Sequence, residues 1–203
     1  MICQTIPRAL RSCLSLAVVF ALALAPSSAT SVIAPTFDQL VSRADLIFTG
    51  QALSHRTEWR NQGGQKSIVT LVTFGVRALH KGRADATVTL QFLGGTIDDV
   101  TLDVSEMPKF KPGERVVLFV EKNGVNASPL LGFYHGKFSL RREADGRDTV
   151  LAHDGEPLAG VAEMGRPKRA VVAGTAAPAP RAALSHEEFT GQVRDRLARN
   201  SGK

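Results

Sequence analysis

Apolar residues follow two periods along the chain, and the points where one gives way to the other mark out the elements. In "TFDQLVSRA", residues 36–44, Phe37, Leu40 and Val41 fall on one helical face, and Thr36 with Gln39 three residues on has the form of a capping box. After that the period drops to two. "LIFTGQALSHR" predicts a first strand, so that residues 44–55 form a wall of the fold. "SIVTLVTFGVRALH", 67–80, predicts a second, with Ile68, Val72, Phe74, Val76 and Ala78 on one face. At strand spacing its length reaches roughly 46 Å. A strand so long has to bend, and Gly75 in its middle is the expected bulge.

The alternation continues downstream. "ATVTLQFLGG" sets Val88, Leu90 and Phe92 against Thr87, Thr89 and Gln91. "IDDVTLDV" is a weaker strand, and Pro112–Gly113 a turn pair. "RVVLFVEKN" carries Val116, Leu118 and Val120 on one face, and "LLGFYHGKFSLR" carries Tyr134, Gly136, Phe138 and Leu140. "DGRDTVLAHDGE" reads as a turn and a last short strand. Closely spaced strands of this kind, one of them long and bent, predict a mostly β fold: a small closed barrel of five to seven strands with a short N-terminal helix. A β-sandwich is the alternative.

Periodicity then fails. Residues 156–183 are rich in Pro, Ala and Gly and read as a flexible linker. In 184–203 it returns as a helix: Ser185 and Glu188 form a second capping box, and Phe189, Val193 and Leu197 make an apolar stripe. That helix either docks on the domain or is held out for a partner.

The N-terminus changes the picture of where the chain works. Arg8 and Arg11 precede the apolar run "LSLAVVFALALA", and Ser27 and Ala29 are small residues at the right spacing for cleavage after Ala29. Residues 1–29 are therefore expected to be a secretory signal peptide, leaving 30–155 as the domain. The run is short of the ~20 residues that span a bilayer. The mature protein is thus expected to be exported, periplasmic or extracellular, with no stable membrane span. Cys3 and Cys13 leave with the signal, so thiolate metal sites, a Cys nucleophile and disulfides are excluded from the mature chain. The full chain of 203 residues carries a net charge of +6; without Arg8 and Arg11 it holds 23 Lys+Arg against 19 Asp+Glu, or +4. That is too mildly basic to indicate nucleic acid.

The combination "ADLIFTGQALS", "IVTLVTFGVRALHKG", "VTLQFLGG", "FKPGERVVLFV" and "GKFSL" resembles a set of small, mostly uncharacterised secreted bacterial proteins. More distantly, the "ADLIF" opening and the long strand ending in "HKG" are similar to the netrin-like domain of tissue inhibitors of metalloproteinases. The resemblance covers roughly residues 36–140. It implies an OB-like closed barrel and a binding role. Those inhibitors reach the protease zinc through an N-terminal cysteine. Here the mature chain would begin near Thr30 and has none, so no inhibitory residue is carried over.

Candidate chemistry is sparse. The histidines His55, His80, His135, His153 and His186 form no H-x-x-x-H or H-E-x-x-H pattern, though a barrel could bring His135 and His153 together. There is no G-x-S-x-G elbow and no P-loop. Asp98, Asp99 and Asp103 lack calcium-loop spacing and fit a solvated hairpin end. Gly94–Gly95 fits a sharp corner, with close approach of a ligand as the alternative. No catalytic residue, metal site or cofactor is therefore expected. In an OB-like barrel, "TEWRNQGGQK" would be a ligand-reading loop. Trp59 between Arg56 and Arg60 has the composition of an interface anchor, which Tyr134 and His135 could extend. The competing reading has Trp59 capping the core. The expected function is a monomeric, non-enzymatic binding module for a secreted or envelope protein, with a protease among the candidates. An accessory protein binding a glycan or peptidoglycan fragment is the alternative, and an enzyme of unrecognised type the third.

Overall fold

The structure, a computed structural model, describes residues 34–62, 64–165 and 182–202. The expected signal peptide and residues 166–181 of the expected linker lie outside them. Helix α1 (Phe37–Arg43) leads into strands β1 (Leu46–Gln62), β2 (Gln65–Lys81), β3 (Thr87–Leu93), β4 (Gly95–Ile97), β5 (Val100–Leu102), β6 (Arg115–Val120), β7 (Lys137–Arg142) and β8 (Asp148–Leu151). A 3-10 turn at Val161–Glu163 and helix α2 (His186–Ser201) follow. Both helices start as local sequence dictates. Thr36 and Ser185 each accept the backbone N–H three residues on, and the side chains of Gln39 and Glu188 return the bond.

The fold is mostly β with two helices. Six strands form one antiparallel sheet in the order β3-β2-β1-β6-β7-β8, and β4-β5 form a small ribbon. The expected closed barrel does not form: among the described residues β3 and β8 are the sheet's two edges, which makes it open. The segment after β6 occupies the place where a closing strand would lie against β3. The Asn123 amide accepts from the Gln91 N–H at 2.9 Å and donates to the Thr89 carbonyl at 2.9 Å, so a side chain does a strand's work along that edge. The Leu93 N–H adds a bond to the Ala127 carbonyl at 2.7 Å.

Strand β6 explains how one sheet serves two cores. Its run "RVVLFV" is apolar at nearly every position because both faces are covered. Val117 and Phe119 face α1 and α2, in a core with Leu40, Ile47, Phe138 and Phe189. Val116, Leu118 and Val120 face the other side, in a core with Phe48, Phe74, Leu90, Phe92 and Phe110. The α2 stripe is docked: Phe189 and Val193 are buried and Leu197 is partly so. Arg196 ties α2 to Asp38 of α1 at 2.7 Å. Residues 157–165 also pack. Leu158 is buried, with its N–H on the Val150 carbonyl at 2.9 Å and its own carbonyl bonded to the Leu184 N–H at 2.7 Å.

Three differences from the sequence reading bear on the site. β1 does not stop near His55 but continues through Trp59 to Gln62, so "TEWRNQGGQK" is the far half of a long hairpin and not a loop. β7 begins only at Lys137, because residues 131–136 are turns. Gly75 is paired with Gln51, and the extra residues lie elsewhere: Leu53 on β1, Arg77 and His80 on β2. At the hairpin's crossing Gly50 is required by close approach. A Cβ there would stand 2.8 Å from the Gly75 carbonyl oxygen and 2.8 Å from the Phe48 ring. Gly50→Ala is therefore expected to cost about 1–3 kcal/mol, read as a lower urea midpoint with an unchanged slope.

Candidate functional site

The five residues singled out in the sequence separate into two groups. Arg56, Trp59 and Arg60 lie on the distal half of β1. Beyond Gln51 no strand among the described residues pairs with the outer edge of β1, while its inner edge stays in register with β2 to Gln62. Alternation puts His55, Thr57 and Trp59 on one face and Arg56, Glu58 and Arg60 on the other. On the charged face Glu58 pairs with both Arg56 (3.4 Å) and Arg60, and Arg60 also reaches the Gln91 side-chain oxygen at 3.0 Å. The two arginines hold the Glu58 carboxyl below its ordinary value, Arg60 foremost.

Trp59 sits opposite Ile68, which is buried, yet keeps 42% of its own surface exposed. Lys66 stands 5.0 Å from the centre of its ring. The same strand face leads back to a cleft of about 390 Å³. Val72, Phe92, Met107 and Phe110 line its apolar part, and His55 and Thr70 are polar points on its wall. The corner Gly94–Gly95, with φ of 104° and 135°, carries the chain from β3 into β4 over this cleft. A Cβ on Gly95 would stand 2.6 Å from both Thr57 and Thr70. Thr57 and Thr70 donate to the carbonyls of Thr96 (2.9 Å) and Gly94 (2.7 Å), which fixes the ribbon against the hairpin. Asp98 and Asp99 are the exposed end of that ribbon, Asp98 with a left-handed φ of 52°.

Tyr134 and His135 belong to the second group. The Tyr134 ring lies 4.3 Å from that of His135 and 4.4 Å from that of His153, and the two histidine rings are 4.8 Å apart. The two histidines are thus brought together. Among the described residues no cluster of three or more His, Cys, Asp or Glu is placed to hold a metal.

A third group was not legible in the sequence. The buried Thr49 hydroxyl lies 2.9 Å from His80 Nε2 and 3.0 Å from His186 Nε2. A hydroxyl has one proton, so Thr49 donates to one imidazole and accepts from the N–H of the other. Burial lowers both histidines. At His80 the facing His186 and Arg194 add to this, and at His186 Arg115 adds while Asp148 and Glu187 oppose it. A folded pKa below the ordinary 6.5 means that the unfolded chain binds the extra protons. This stabilisation is complete above pH 6.5 and is lost as the pH falls from there to the lower folded values. Thermal melts between pH 7.5 and 5 should therefore decline more steeply in the wild type than in a His80→Gln/His186→Gln variant. Equal slopes would refute the coupling.

No family model, no curated protein and no solved structure matches the chain. Among the described residues no helix is long and apolar enough to cross a membrane.

Proposed function

We propose that this chain is an exported, non-enzymatic binding module that engages another secreted or envelope protein, a protease among the candidates, through the β1–β2 hairpin. The observation that carries the reading is the distal half of β1. It combines an exposed Trp59 under Lys66 with a strand edge that, among the described residues, pairs with no other strand beyond Gln51, its last main-chain bonds there being those of Ala52 to Gly113 and Glu114. Exposed edges are otherwise blunted, and an extended segment of a partner can add to one through main-chain hydrogen bonds. Trp with flanking Arg is the composition of an interface anchor. The cleft on the same face would take a partner's apolar side chain. The netrin-like resemblance, with its implied binding role, points the same way.

Trp59→Ala tests this directly. The melting temperature should hardly move, since exposed substitutions stay within about 0.5 kcal/mol. Loss of a hot-spot Trp should weaken the partner by about 2 kcal/mol or more, roughly thirtyfold. Wild type and variant, tagged at the C-terminus, are recovered natively from the exporting cell side by side. A stoichiometric protein held by the wild type and lost from the variant supports the reading. Equal retention by both, a large stability loss, or failure of the chain to leave the cytoplasm would overturn it. Selective retention of a glycan would favour the accessory-protein reading instead.

A further inference from the structure

On the side of β1 away from the core of Phe48, Phe74 and Phe110, the two irregularities of β2 surround Thr49. Register passes from Thr49↔Ala78 to Gly50↔Val76 and skips Arg77; it passes from Ile47↔Lys81 to Phe48↔Leu79 and skips His80. A bulge re-aims the side chain it frees. Here it adds Arg77 to the wall of a pocket of about 420 Å³ that also includes Thr49, Gln51, Arg115, Arg142 and His186. We propose that this pocket binds a phosphate group, free or carried as a monoester.

The charge balance supports a doubly charged anion. Three guanidinium groups converge on the pocket, and one carboxylate answers them. Asp148 takes Arg115 and, at 2.6 Å, Arg142. Arg77 makes a hydrogen bond to the Gln51 side-chain oxygen at 3.2 Å, and among the described residues no carboxylate pairs with it. The excess is two positive charges, which matches the charge of about −2 on a phosphate near neutral pH. Arg115 is held rigid by its two bonds to Asp148, one of them 2.7 Å, so part of the wall is ordered before any ligand arrives. Arg77 and Arg142 are the exposed members of the wall, Arg142 bonded to Asp148 and to the Gly146 carbonyl at 3.1 Å, and His186 lines the pocket beside Thr49. The proposal is independent of the hairpin reading, since no residue is shared.

The probe is inorganic phosphate, titrated at constant ionic strength with chloride and followed by amide chemical shifts. A saturable response confined to the residues around Thr49, Arg77 and Arg142 is expected. Arg77→Gln and Arg142→Gln should each weaken it about tenfold, the loss of one charge-assisted hydrogen bond. Unliganded melts of both variants verify that they fold. Glycerol 2-phosphate in parallel distinguishes the sources: binding as tight as phosphate assigns the site to esters as well, and its failure restricts the site to the free ion. No saturable response to either probe, a response unchanged in both variants, or equal binding of acetate would overturn the proposal.

Discussion

Phe189→Ala is expected to lower the unfolding free energy by about 3–5 kcal/mol, the range for removing a large aromatic from a packed core. Phe189 is fully buried. Its ring meets Phe37 of α1 at 5.9 Å, Phe138 of β7 at 4.9 Å and Phe119 of β6 at 6.1 Å. One side chain from the end of the chain thus joins both helices to the middle of the sheet. The void left by truncation is bounded by three other rings and by β-branched neighbours, which leaves little room for collapse. Chemical denaturation should show a lower midpoint with the slope of the wild type. If α2 instead detached as a unit, the variant would show a smaller loss and a separate early transition by helix-sensitive circular dichroism. The His186 contact to Thr49 would go with it, so the amide signals around Thr49 would move in the same transition.

Much of that arrangement is written locally. The two capping boxes each need only residues three apart, and the Phe189–Val193–Leu197 stripe needs only helical spacing, so helix position and inward face follow from short segments. β6 is legible as a strand with Val116, Leu118 and Val120 on one face, but that Val117 and Phe119 are covered too depends on the helices packed over the other face. What could not be read depends on partners far along the chain. The outer half of β1, "HRTEWRNQ", is polar and shows no alternation toward a core; it is a strand because β2 pairs with it residue by residue. In "LLGFYHGKFSLR" the alternation of Tyr134, Gly136 and Phe138 imitates a strand, yet residues 131–136 turn, and a Cβ on Gly136 would stand 2.7 Å from the Phe119 carbonyl. Closure of the sheet depends on the edge of β3, and the side chain that fills it, Asn123, lies 32 residues from Gln91. The Thr49 cluster joins residues as far apart, 31 positions to His80 and 137 to His186. It is assembled by bulges, which leave no mark in a period-two pattern.

Glu114→Ala is expected to cost about 3 kcal/mol, the lower end for removing one partner of a buried ion pair. Glu114 and Lys137 meet at 2.9 Å, with side chains only 20% and 14% exposed. The carboxylate is fully engaged: Ser139 donates to it at 2.9 Å and the Lys111 N–H at 3.0 Å. Burial alone would raise its pKa, but Lys137 and these donors more than reverse that and hold it below the ordinary 4.5. The cost stays at the lower end because the Lys137 ammonium keeps two other contacts, the Phe110 ring at 4.4 Å and the Lys109 carbonyl at 2.7 Å. Lys137→Met should cost more, since it leaves a half-buried carboxylate with neutral donors only, and its effect should shrink in acid as Glu114 takes up a proton. The linkage has the same sense as that of the histidine pair but a different window. A depressed carboxylate contributes above pH 4.5 and fails as the pH falls through its folded value, whereas the histidine pair begins to fail at 6.5. Acid melts of Glu114→Ala should therefore keep the decline that starts near 6.5 and lose part of the one below 4.5. A variant that lost the upper decline instead would place Glu114, and not His80 and His186, behind it.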